Sequence, residues 1–119
     1  MKISRALTVL ALLITIGFTT GCNSGDTEQA WKMIDDGALL VDVRTPGEFN
    51  SGHLPGAKLI PVGQVAARIS EFGEDKSRPI VVYCKSGGRS GKAEKTLRAN
   101  GYLNVVNGGG YNALMSARN

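Results

Sequence analysis

Residues 79–83 read Pro-Ile-Val-Val-Tyr, an unbroken apolar run rich in β-branched side chains, and lead directly into Cys84-Lys85-Ser86-Gly87-Gly88-Arg89-Ser90. A run without polar alternation fits a strand buried on both faces, and such strands belong to parallel sheets covered by helices. The rest of the chain keeps to that architecture. Ala30, Trp31 and Ile34 at helical spacing predict a helix over 27–36, with Thr27 as N-cap and Gly37 as its stop. A short apolar strand follows at 38–43, and a brief one at 58–60 is closed by Pro61. Val65, Ile69 and Phe72 predict a helix over 62–72. Ala93 and Leu97 share one face of a helix over 90–100, which Gly101 ends. Residues 102–106 read as the last strand and 110–117 as a closing helix. Strands alternating with helices imply an α/β domain with a mostly parallel sheet. The 119 residues hold one modest domain, with no internal repeat and no dividing linker.

The first residues are an address rather than part of that domain. Lys2 and Arg5 charge the start, residues 6–18 are almost wholly apolar, and Thr19, Thr20 and Gly21 are small. This pattern predicts a signal peptide over 1–21, a short tether over 22–26 and the domain over 27–119. The apolar stretch is shorter than the roughly 20 residues a membrane-spanning helix needs. Gly21-Cys22 resembles the end of a bacterial lipobox, although Thr19 stands where a large aliphatic residue is usual. The reading is therefore an exported, periplasmic chain, tethered to a membrane face through lipidated Cys22, or cut there by an ordinary signal peptidase. Asn23 after the cysteine favours the outer membrane. A Cys22–Cys84 disulfide is the competing use of the only two cysteines.

Charge excludes one class of partner. The chain carries 14 basic and 10 acidic residues. Without Lys2 and Arg5 the basic count is 12, an excess of two over the 10 acids, too small for nucleic-acid binding. The basic residues are unevenly placed: Lys85, Arg89, Lys92, Lys95 and Arg98 fall within fourteen residues whose only acid is Glu94.

In folds of this type, reactive groups sit where strands end and helices begin. Cys84 stands at that point. Gly87 and Gly88 allow the backbone to turn successive N–H groups toward one centre, and the following helix aims its positive end there. Lys85 and Arg89 add full charges. Together these predict a stabilised thiolate at Cys84, with Lys85, Ser86, Gly87, Gly88, Arg89 and Ser90 binding whatever anion it meets. A cation at a helix start opposes the dipole, so Arg89 requires an anionic partner. A Cys-x5-Arg loop preceded by His would resemble a tyrosine phosphatase. Here the spacing is Cys-x4-Arg and the preceding residue is Tyr83, a smaller ring that suits one transferred sulfur better than a phosphoryl group.

Three ordered motifs resemble those of rhodanese (thiosulfate sulfurtransferase) domains. Asp42-Val43-Arg44-Thr45-Pro46-Gly47-Glu48-Phe49 with Gly52-His53-Leu54-Pro55-Gly56-Ala57 resembles the first signature, the Cys84–Ser90 segment the active loop, and Asn107-Gly108-Gly109-Gly110 the C-terminal signature. Small size and an exported start are similar to the periplasmic phage shock protein E type of the family. Leu114 departs from it, standing where many relatives have Trp at the pocket rim. The resemblance implies a three-layer α/β sandwich around a mostly parallel sheet, and a two-step reaction. Cys84 thiolate takes the outer sulfur of a donor such as thiosulfate, then passes it from a persulfide to cyanide or a thiol. It implies no cofactor, no metal, a small-molecule donor and a thiophilic acceptor, and a monomer. A sulfur carrier or interaction module without rapid turnover is the alternative; a phosphatase or arsenate-type reductase is disfavoured by the loop. His53, the only histidine, is read as bracing a turn beside Gly52 and Pro55-Gly56, not as a general base. Asp42 and Arg44 either pair with each other or brace the active loop, and Glu48 is read as a helix-face charge.

Overall fold

The computed structural model describes residues 25–118. The expected leader, Cys22 and most of the tether lie outside the described residues. The chain runs α1 (Thr27–Asp35), β1 (Leu39–Asp42), α2 (Pro46–Asn50), β2 (Lys58–Leu59), two 3-10 turns (Val62–Gln64 and Ile69–Phe72), β3 (Ile80–Cys84), α3 (Gly88–Ala99), β4 (Val105–Gly110) and α4 (Tyr111–Arg118). All four strands are parallel, in the order β2-β1-β3-β4. β3 is therefore central, as its unbroken apolar run predicts, and every residue in it is buried.

Side chains alternate across the sheet and build two cores. Ile80, Val82 and Cys84 join Val41, Ile60, Val65, Phe72, Ala93 and Leu97 on the side of α3 and the 3-10 turns. Val81 and Tyr83 join Ala30, Leu40, Leu54 and Leu114 on the side of α1 and α4. Helices on both faces of one parallel sheet make the expected three-layer α/β sandwich.

Several boundaries differ from the expectation. Asp26, not Thr27, caps α1 by accepting a hydrogen bond from the Gln29 N–H at 3.0 Å. The helix expected over 62–72 is two 3-10 turns, although Val65 and Phe72 are buried and Ile69 packs on them as the spacing required. Gly63 in the first turn weakens a helix start, and Arg68, at φ −107 and ψ 27, interrupts the run. The last strand lies later than expected: Tyr102 is a core side chain set edge-on against Phe72, and β4 runs through Asn107 and the three glycines. A bulge lets β4 do so, because Val82 pairs with Asn107 while Tyr83 pairs with Gly109. At Gly110 a Cβ would stand 2.4 Å from the Lys85 carbonyl oxygen, so only glycine lets β4 pass under the active loop. Leu114 is fully buried in the α1–α4 core, with its carbonyl accepting from Trp31 Nε1 at 2.9 Å, so it does not shape a pocket rim.

Candidate active site

Cys84 is the last residue of β3, and its parity on the strand turns the side chain toward α3. Among the described residues the thiol has no disulfide partner, and the residue is 1% exposed. The loop then curls over the sulfur. Gly87 takes φ +100, a left-handed conformation that favours glycine, and serves as N-cap of α3. α3 starts at Gly88, two residues earlier than expected, which leaves Ser90 in the first turn with its N–H unclaimed by the helix. Three donors converge on Sγ: Gly87 N–H at 3.0 Å, Ser90 N–H at 3.4 Å and the Ser90 hydroxyl at 3.3 Å.

Two opposed effects set the acidity of this thiol. Burial pushes it up. The Ser90 hydroxyl and the N–H groups of Ser90, Ser86 and Gly87 pull it down, and the net result lies below the ordinary thiol value. The four donors named belong to the loop and helix start, so the oriented N–H groups expected from the sequence hold the anion, and the cations Lys85 and Arg89, also expected to contribute, are not among its donors.

Arg89 has a resident anion. Its Nη1 and Nη2 donate to Oε1 and Oε2 of Glu48 at 2.8 and 3.0 Å, a bidentate pair across to α2. Glu48 is thus more than a helix-face charge. It also completes a capping box, its Oε1 accepting from Thr45 N–H at 3.0 Å while Thr45 Oγ accepts from Glu48 N–H at 3.2 Å. Arg89 above all, with the Thr45 N–H next, draws the Glu48 carboxyl down to about 2. Lys85 and Ser86 are exposed, and Lys85 has no side-chain hydrogen bond among the described residues.

Asp42 and Arg44 pair with each other. Asp42 is fully buried and accepts from Arg44 N–H at 2.9 Å, from Nε at 3.0 Å and from Nη2 at 2.7 Å. The Arg44 guanidinium also donates to Gly52 O at 2.7 Å and lies 4.6 Å from the Tyr111 ring centroid. Tyr83, beside the sulfur in sequence, faces the other core and accepts from Leu54 N–H through its phenol oxygen at 3.0 Å. This cluster ties the first motif to the end of β3. His53 is exposed, donates from Nδ1 to Phe49 O at 2.8 Å and stacks on the Phe49 ring with centroids 3.6 Å apart. Those contacts brace the turn after α2.

Asn107 belongs to the site, and sequence reasoning gave it no role. Its Oδ1 accepts from the Ser90 hydroxyl at 2.7 Å and from Gly109 N–H at 2.9 Å, and its Nδ2 donates to Gly87 O at 3.0 Å. The signal was its place at the head of the glycine run, which marks a special backbone but not what the side chain touches.

The arrangement can hold one small anion on sulfur in a polar cradle at the floor of a loop. The profile of the rhodanese-like domain family matches residues 26–117. The chain is 42% identical over 81 residues to the YqhL protein of Bacillus subtilis, covering 68% of this chain and 63% of that one. It is 40% identical over 70 residues to thiosulfate sulfurtransferase PspE of Escherichia coli, covering 59% and 67%. A solved rhodanese with anions from E. coli superposes with TM-score 0.60 at 37% identity, covering 63% of this chain and 88% of that one.

Proposed function

The chain belongs to the rhodanese-like domain family, and from that premise we propose that it moves sulfane sulfur from thiosulfate or a similar donor to cyanide or a thiol, through a persulfide on Cys84. The observation that carries the reading is the convergence of the Gly87 and Ser90 donors on Cys84 Sγ. A thiol whose pKa is lowered this way supplies more of the thiolate, which is the nucleophilic form. In the first step it attacks the outer sulfur of thiosulfate. The new S–S bond forms as the old one breaks, and the bonding pair leaves with sulfite. The persulfide keeps the negative charge on its outer sulfur, within reach of the same loop. In the second step cyanide or a thiolate attacks that outer sulfur, and the Cys84 thiolate is the leaving group. Neither step requires a metal or an organic cofactor. Asp42, Arg44 and His53 act by holding the loops in place.

The test is direct. Reduced protein incubated with thiosulfate is expected to release sulfite and gain the mass of one sulfur atom, then lose it when cyanide is added. Absence of the added sulfur would overturn the proposal. The Arg89–Glu48 pair favours a second reading, a sulfur carrier without rapid turnover, because the cation at the start of α3 is already paired. A stable persulfide that neither cyanide nor thiols discharge would select that reading.

The same pair makes a quantitative prediction. Glu48→Gln keeps the capping-box geometry but removes the charge that occupies Arg89. The KM for the dianion thiosulfate should fall about twofold to fivefold, the scale of one partly exposed ion pair, with kcat little changed. Steady-state kinetics at low ionic strength measure it, and an unchanged KM would show that Arg89 takes no part in donor binding.

A further inference from the structure

Ser90 is fully buried, so its hydroxyl has no water to fall back on. It has one proton and two neighbours that can accept it, Cys84 Sγ at 3.3 Å and Asn107 Oδ1 at 2.7 Å. The Asn107 amide cannot turn over to change this. Its oxygen accepts from Gly109 N–H at 2.9 Å and its nitrogen donates to Gly87 O at 3.0 Å, and the reversed amide would set donor against donor and acceptor against acceptor. Gly87 O also accepts from Gly91 N–H at 2.9 Å, so the loop carbonyl keeps a partner without Asn107.

We propose that Asn107 is a positioning residue for Cys84, its amide oxygen holding the Ser90 proton while Sγ is uncharged and yielding it when Sγ is a thiolate. The proposal rests on sulfur transfer through Cys84 and deepens it. In each turnover the negative charge on Sγ moves to the outer sulfur of the persulfide and back. A hydroxyl facing sulfur alone would be left without an acceptor each time the charge departs, at the cost of an unsatisfied buried group. With Asn107 beside it, the hydroxyl rotates between two acceptors and stays satisfied. The contact also has a cost. Ionising Cys84 draws the proton away from Asn107, so the amide opposes thiolate formation.

The test is the pH dependence of iodoacetamide alkylation of reduced full-length protein. Four proteins form a cycle: wild type, Asn107→Leu, Ser90→Ala and the double variant, with Asn107→Ala as the alternative if the leucine is not accommodated. Asn107→Leu should lower the alkylation midpoint by about half a pH unit or more when Ser90 is present. In the Ser90→Ala background the same exchange should shift it by no more than about 0.3 unit. The charged groups in the flanking elements are Lys85 in the loop, Arg89 with Glu48, the Asp42–Arg44 pair, and Lys92, Glu94, Lys95 and Arg98 further along α3, while β4 carries none; all stay constant through the cycle. An upward shift, no shift, or an equal shift without Ser90 would overturn the proposal. Alkylation does not depend on sulfur transfer, so a protein that forms no persulfide would fail the functional reading and still report on Asn107.

Discussion

Cys84→Ser should abolish sulfite release from thiosulfate, by at least about a thousandfold, and leave no sulfur adduct on the chain. Serine is close to cysteine in size, and its hydroxyl can accept from Gly87 and Ser90, so the loop should keep its shape. What is lost is the nucleophile. Dipoles that lower the pKa of a thiol, already an acid near 8.5, cannot make an alcohol ionise at such pH. The wild-type rate should correspondingly persist as pH falls below 8.5, because the folded thiol is depressed and remains ionised there. Sulfite assay and intact mass read both effects. Residual turnover above a tenth of the wild-type rate in the serine variant would mean that another group carries the sulfur.

Asp42→Ala should destabilise the protein by about 3–5 kcal/mol, a large fraction of the total stability of a small domain. Removing the carboxylate leaves the Arg44 guanidinium, 6% exposed, with no counter-charge and several unsatisfied donors. Gly52 O and the faces of Tyr111 and Tyr83 cannot replace it. Replacing both partners, Asp42→Ala with Arg44→Met, should recover much of the loss, since the penalty comes from an orphaned charge and not from absence of the pair. Urea unfolding followed by tryptophan fluorescence reports both. A single-variant loss below about 1 kcal/mol would show that the cluster relaxes and readmits water.

The site was legible in sequence where chemistry depends on adjacency along the chain. Gly87 and Ser90 reach Cys84 because they lie within one tight turn, and the turn follows from glycine at Gly87 and a helix start beyond it. The Asp42–Arg44 pair is likewise local, two residues apart on a strand end. Contacts between distant segments were not legible. Glu48 and Arg89 lie 41 positions apart and meet only because α2 and α3 flank the same loop. Asn107 and Ser90 lie 17 apart, and only the bulge in β4 sets the amide against the hydroxyl. The late start of β4 has the same origin: residues 102–106 look more strand-like than a glycine run, yet the close approach at Gly110 leaves room for no side chain there.

By itself, the sequence determined an α/β sandwich around one central apolar strand and the cysteine at its end. Strand burial, helix spacing and turn chemistry are short-range properties written into neighbouring residues. Tertiary structure decided which groups tune that cysteine. The N–H groups of the loop were legible along the chain, but so were the charges of Lys85 and Arg89; in the fold Glu48 occupies Arg89, Lys85 stands in solvent, and the N–H groups with the Ser90 hydroxyl hold the sulfur. The physical reason is directional. A charge acts over distance and can be cancelled by a partner brought from elsewhere in the chain, whereas a hydrogen bond acts only where folding aims its donor.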